Sequence, residues 1–171
     1  MKLGKILLAS ALAFGAAQAS DYVSYKELTT KLKKEAKANG TFATAADVKH
    51  ALKSKDWIVG DVRTMEEYQA ARIAGSVRIG RQSPEKGLAN FALNDDDKFV
   101  KDKLIVVCNT ASRASIEAQA FRQMGFKEVK IYDIVSWMDE CNPVVNMYSS
   151  KKDKKGTKNK FGSYKAAHCY K

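Results

Sequence analysis

The 171-residue sequence is short of three things: histidine, cysteine and long apolar runs. Its two histidines, His50 and His168, lie far apart, and its cysteines are Cys108, Cys141 and Cys169. No pair of ligands has the short spacing that zinc sites use, so even with His168 beside Cys169 neither a metal nor another cofactor is expected. Three cysteines are an odd number, and in an oxidising compartment two tend to pair while one stays free. The longest apolar stretch, Ile6 to Phe14 broken by Ser10, is too short to cross a bilayer, which takes about 20 residues. Positive charge is also scarcer than it looks. Of the formal net charge of +11, two units precede Ala19 and seven lie between Lys151 and Lys171, where eight lysines meet one acid, Asp153. Residues 20–150 are therefore nearly neutral, which argues against a nucleic-acid partner. The lysine-rich end reads as a solvated tail able to touch anionic surfaces.

What is present begins with an export pattern. Lys2 and Lys5 precede the apolar stretch, and Ala17-Gln18-Ala19 has the small-x-small form of a cleavage site. The expectation is a signal peptide over 1–19, cut after Ala19, and a periplasmic or secreted mature chain. No cysteine follows the cut, so a lipid anchor is not expected. The remaining length suits one domain with a sizeable core.

Along that chain, residues 22–38 carry Val23, Leu28 and Leu32 among Lys, Glu and Ala, and read as an amphipathic helix ended by Asn39-Gly40. A second helix starts at Thr44, with Asp47 completing a capping box, and runs to about Lys53. Trp57 to Asp61 reads as a strand, and Thr64 with Glu67 opens a short helix through Ala71. Ala74 to Ile79 alternates like another short strand. Residues 80–103, with Pro84, Gly87 and Asp95-Asp96-Asp97, are expected to form a surface connection with a helical turn or two, pinned by Phe91 and Phe99. Val129 to Tyr132 alternates as a strand, and a short helix is expected from Ile134 to about Glu140. Strands alternating with helices argue an α/β fold with a parallel sheet covered on both faces. Ligands of such sheets bind at the carboxyl ends of the strands.

Two residues of chemical interest fall at such ends, Asp61 and Cys108. The run Leu104-Ile105-Val106-Val107 reads as a strand buried on both faces, and it feeds Cys108-Asn109-Thr110-Ala111-Ser112-Arg113. From about Arg113 to Met124 the pattern is helical, with Gly125 as its stop. A cysteine between a strand end and a helix start meets inward-pointing N–H groups and the positive end of the helix dipole, and both favour a thiolate. Cys108 is thus a candidate nucleophile in an anion-cradling loop; the alternative is a buried strand-end cysteine. If Cys108 does chemistry, Cys141 and Cys169 are left to pair and staple the tail to the body. Four residues separate Cys108 from Arg113. Phosphatases with a cysteine nucleophile use five, to wrap three phosphoryl oxygens, so this smaller loop suits a single sulfur atom.

Three stretches together resemble single-domain rhodaneses, the thiosulfate-type sulfurtransferases. Asp61 to Tyr68 resembles the D-x-R-x-x-x-E segment with its following aromatic, Ile73-Ala74-Gly75-Ser76 resembles the I-P-G-A turn, and Cys108 to Arg113 resembles the active-site loop. The resemblance implies a rhodanese-like sheet over 44–147, preceded by a helical extension at 20–43 and followed by the lysine-rich tail at 148–171. It further implies a persulfide on Cys108, stabilised by N–H groups of Asn109, Thr110, Ala111, Ser112 and Arg113, with Arg113 bracing the loop or facing a donor anion. No general base is needed if the thiol is already ionised. Arg63 and Glu67, four apart, are expected to pair across the helix start, and Asp61 to hydrogen-bond backbone near the loop. Arg72 and Arg78 stand where the family commonly has His and a small polar residue; facing the pocket they would attract a donor, and otherwise they are surface arginines. The family's L-x-G-G-I-x-x-W stretch appears as Tyr132 to Trp137, two residues shorter and without glycines, so that wall of the pocket must be built differently. The implied partners are a small anionic sulfur donor (thiosulfate or polysulfide) and a thiol or cyanide-like acceptor, with a protein as a further candidate acceptor. Alternatives are a non-catalytic sulfur-carrier or redox-partner module, and a phosphatase or arsenate-reductase-like enzyme.

Overall fold

The apolar run ending at Cys108 lies at the centre of the sheet. In the computed structural model, which describes residues 22–148 and 162–170, strand β4 (Lys103–Cys108) is hydrogen-bonded on one side to β1 (Trp57–Asp61) and on the other to β5 (Glu128–Asp133). Strand β3 (Val77–Arg78) pairs with the far side of β1, giving the order β3-β1-β4-β5 with all pairs parallel. The expected leader over 1–19 and most of the lysine-rich tail lie outside the described residues.

A strand with neighbours on both edges and helices on both faces must be apolar in its interior, and from Leu104 onward β4 is. Leu104, Val106 and Cys108 point to one core, shared with Ile58, Leu88, Ala118 and Phe121; Ile105 and Val107 point to the other, shared with Val48, Val59, Ile134 and Trp137. Helices α4 (Pro84–Ala92) and α5 (Ser112–Gln123) cover the first face, with Ala36 of α1 (Tyr25–Ala38). Helices α2 (Ala45–Ala51) and α6 (Ile134–Asp139) cover the second. The α/β reading with a parallel sheet covered on both faces is therefore what the chain adopts.

The helix starts follow side-chain capping. Ser24, Thr44 and Thr64 each accept from the N–H three residues on, and Glu27, Asp47 and Glu67 return the bond to the cap N–H. The first box moves the start of α1 from the expected Tyr22 to Tyr25.

The expected strand at 74–79 shortens to Val77–Arg78, and a further strand forms just before it. Arg72–Ile73 (β2) leaves the main sheet to pair antiparallel with Val144–Val145 (β6), and the chain turns at Gly75 (φ +89°) before β3. The connection after β3 is more regular than expected. Helix α4 buries Leu88 and Ala92, and its Gly87 packs against the backbone carbonyl of Ile79. Phe99 meets Phe126 edge-on, ring centres 4.8 Å apart, and Phe91 and Phe99 are equally part-exposed.

Both flanking segments are anchored. Helix α1 lies along α5, and Thr41 and Ala43 exchange backbone bonds with Ile131 (2.9 and 2.8 Å), so that Phe42 adds a parallel bridge to the outer edge of β5. At the other end Tyr164 bridges Val144, its hydroxyl donates to the Ala70 carbonyl (2.7 Å), and Cys169 is bonded to Cys141. Among the described residues no helix is long and apolar enough to cross a membrane.

Candidate active site

The carboxyl ends of β1, β3, β4 and β5 bring Asp61, Arg78, Cys108 and Asp133 to one rim of the sheet. Cys108 is the free cysteine and is 1% exposed. Its position follows from register: it is the last β4 residue facing α5, and the loop that follows folds over it. At Ala111 the backbone enters the left-handed region (φ 58°), where an L-residue costs about 1–2 kcal/mol. That turn lets α5 start at Ser112, and Ala111's fully buried methyl helps offset the strain. Ala111 has no polar side-chain atom to cap α5. Instead the Ala114 N–H, one of the helix's orphan donors, points at Cys108 Sγ at 3.5 Å. The sulfur thus occupies the place of a capping acceptor at a helix amino terminus, where partial positive charge favours an anion. The N–H groups of 109–113 are the ones expected to hold a persulfide's outer sulfur; Sγ itself is met by the N–H of the next residue.

Around the loop the charged residues form a relay that differs from the expected pairing. Arg63 does not pair with Glu67. Its guanidinium turns back onto the Asp61 carboxylate (Nη2 to Oδ2, 2.7 Å), with the Arg63 backbone N–H on Oδ1 at 2.9 Å. Both residues are buried, and two residues of separation close a tighter, drier pair than a reach across the helix start. Arg63 then donates to the Ala71 carbonyl (2.7 Å) and to Asn109 Oδ1 (3.3 Å), so the Asp61 pair reaches the loop through a side chain rather than through loop backbone. Glu67 instead takes a two-pronged pair from Arg113 (2.8 and 2.9 Å) and accepts from Asn109 Nδ2 at 2.6 Å. The Arg113 guanidinium, helped by the Thr64 N–H, pulls the Glu67 carboxyl down to about 2, and Glu67 in turn raises Arg113. Arg113 is thereby committed to bracing the loop from inside the fold.

The remaining expected residues divide. Thr110 is exposed at the loop tip, and its hydroxyl lies 3.3 Å from Ser112 Oγ. Arg72 sits on the β2–β6 ribbon with its guanidinium 5.1 Å from the Tyr68 ring centre. Arg78 lines a separate cleft of about 460 Å³ with Thr64, Glu66 and Arg81, and its Nε is buried without a partner. The two-residue register of β3 sends it there. Among the described residues no ion pair joins either arginine to the cysteine loop.

The segment that lacks the family's glycines also has its explanation. Asp133 ends β5 and immediately caps α6, accepting from Ser136 N–H (2.6 Å) and its hydroxyl (2.9 Å), so no flexible link is needed. One residue beside the loop was missed entirely: Lys33 of α1, whose Nζ lies 3.2 Å from Ser112 Oγ and 3.5 Å from the Thr110 carbonyl. Its signal, a lysine in an amphipathic helix seventy-odd residues upstream, is indistinguishable by sequence from a solvated one.

A strand-end cysteine under a six-residue loop, on a parallel α/β sheet, defines the architecture of a rhodanese-like domain. The profile of that family matches residues 44–138, and the chain belongs to it. Among solved structures, the fold resembles the polysulfide-sulfur transferase homodimer from Wolinella succinogenes, at 24% identity and TM-score 0.53, over 70% of this chain and 87% of that one. A rhodanese-related protein from Thermoplasma volcanium is 28% identical over 61% of this chain and 96% of its own, with TM-score 0.48. No curated protein matches the sequence.

Proposed function

We propose that this chain is a sulfurtransferase that moves sulfane sulfur from an anionic donor, thiosulfate or polysulfide, to a thiophilic acceptor through a Cys108 persulfide. The observation that carries this reading is the Ala114 N–H aimed at Cys108 Sγ from the first turn of α5, inside a loop fixed by Asn109, Glu67 and Arg113. Family membership supports it, and so does the transferase activity named for the Wolinella neighbour.

The chemistry needs no external oxidant, and no base once the thiol is ionised. The Cys108 thiolate attacks the outer sulfur of the donor; the donor's S–S bond breaks and its electron pair leaves with sulfite or with a polysulfide one sulfur shorter. The resulting Cys–S–S⁻ then presents its outer sulfur to cyanide or an acceptor thiolate, and the electron pair of the second S–S bond returns to Cys108. Splitting one transfer into two is the general advantage of covalent catalysis. The preorganised N–H groups and helix end stabilise the anion in both states. The near-complete burial of the thiol favours a second reading, a carrier that holds sulfur until a protein partner takes it. Export is part of the proposal: it rests on the pattern at 1–19 and accords with the Cys141–Cys169 bond.

Incubation with thiosulfate or polysulfide, followed by intact mass measurement and cyanide release of thiocyanate, tests the reading. Wild type is expected to gain sulfur that cyanide removes, and Cys108→Ser to gain none. Equal uptake by the variant overturns the mechanism. A persulfide that forms but does not turn over with cyanide selects the carrier.

A further inference from the structure

We propose that α1, which precedes the family segment, builds the missing wall of the sulfur site, and that its Lys33, Lys34 and Lys37 bind the distal anionic end of a linear polysulfide. This rests on the sulfurtransferase reading above and specifies the donor it serves.

A cleft of about 550 Å³ opens between α1 and the cysteine loop, reaching the loop at Thr110. Lys33, Lys34 and Lys37 share one side of α1 and form its rim, while Phe42 and Val135 supply apolar surface. Among the described residues no carboxylate pairs with any of the three lysines, although their neighbour Lys31 has Glu35 at 4.0 Å. The one acid lining the cleft, Asp133, is occupied at the start of α6. The cleft therefore carries excess positive charge beside apolar walls, at the position where the family's glycines are absent. Lys33 ties it to the loop, through Ser112 Oγ and the Thr110 carbonyl.

That combination discriminates between donors. A polysulfide dianion has charge concentrated toward its ends and a polarisable, weakly hydrated middle, so it gains from ammonium groups and apolar walls together. Thiosulfate bears its charge on strongly hydrated oxygens and gains from the ammonium groups alone. A chain is also narrow enough to reach a sheathed sulfur end-on while its other end remains in the cleft. Thiolate attack on the near terminal sulfur breaks the adjacent S–S bond, and the shortened dianion keeps both charges and departs along the lysines.

The test is the initial rate of thiocyanate formation against polysulfide concentration, for wild type, the double variant Lys34→Glu/Lys37→Glu, and a control, Lys31→Glu, whose side chain does not line the cleft. Cleft binding predicts that the double variant raises the polysulfide KM about tenfold and flattens its rise with ionic strength. It also predicts a smaller change in the thiosulfate KM, and no KM change for Lys31→Glu. Equal shifts for the control and the double variant, adjusted for charge, would show a bulk electrostatic effect and overturn the proposal. An unchanged KM for the double variant overturns it as well, and leaves the lysines to an acidic protein acceptor. Failure of the parent reading is separate: wild type would then take up no sulfur at Cys108 even at saturating polysulfide.

Discussion

Glu67 joins several parts of the site, holding Arg113 and Asn109 while also capping α3 (Met65–Ala70). Its carboxyl titrates near 2 in the fold against an ordinary value of 4.5. A depressed value means the stabilisation is complete above about 4.5 and is lost as pH falls toward 2. Because the pair is partly exposed (23% and 31%), solvent screening leaves on the order of 1 kcal/mol of it. Denaturant unfolding across that window should fall more steeply for wild type than for Glu67→Gln; coincident curves would remove Glu67 from the account. Asp47, also held near 2 by the Thr44 N–H and Lys130, titrates in the same window, so the difference between the curves is the measurement, not the fall itself. At this scale the sequence showed which residues matter better than whom they touch. Arg63 and Glu67 are four-apart partners by spacing, but Arg63 turns to Asp61 two residues away, and Glu67 takes Arg113, brought beside it where the ends of β1 and β4 converge. Convergence of strands is a tertiary fact that spacing along one helix does not contain.

At the scale of elements, α4 is the informative case. Pro84 and Gly87 mark a surface connection when read as sequence, yet Pro84 is the first helical residue and Gly87 is interior. An interior helical glycine ordinarily costs about 1 kcal/mol relative to alanine. Here a Cβ on Gly87 would collide with the Ile79 carbonyl, backbone that cannot yield as a side-chain tip can. Gly87→Ala is therefore expected to lower stability by roughly 1–3 kcal/mol, opposite in sign to its propensity effect. A thermal melt that rises on substitution would show that α4 stands off from β3. The capping boxes at Thr44 and Thr64 were legible because they are local. The division of 72–79 between two sheets was not, because its cause, pairing with Val144 and Val145, lies some seventy residues away.

For the molecule as a whole, the parallel sheet and its two covered faces could be read from alternating segments and from the unbroken run before Cys108. The Cys141–Cys169 bond was anticipated by counting; its separation of 28 residues gives it mechanical meaning. Closing a loop of that size removes chain entropy worth about 3.6 kcal/mol from the unfolded state. Reduction, or Cys169→Ser, should lower the denaturation midpoint accordingly and release Tyr164 from Val144. A midpoint indifferent to reductant would mean the tail is not held by this bond.

The bridge at Phe42 sets a practical limit on where this domain can be cut. A fragment trimmed to the family boundary at Thr44 would lack Thr41, Phe42 and Ala43 and leave the N–H and C=O of Ile131 without these partners on the outer edge of β5. Such an edge is a template for pairing with another copy, and the shortened protein would tend toward aggregation. Helix α1 and its following turn serve the neighbouring strand as a guard against self-association.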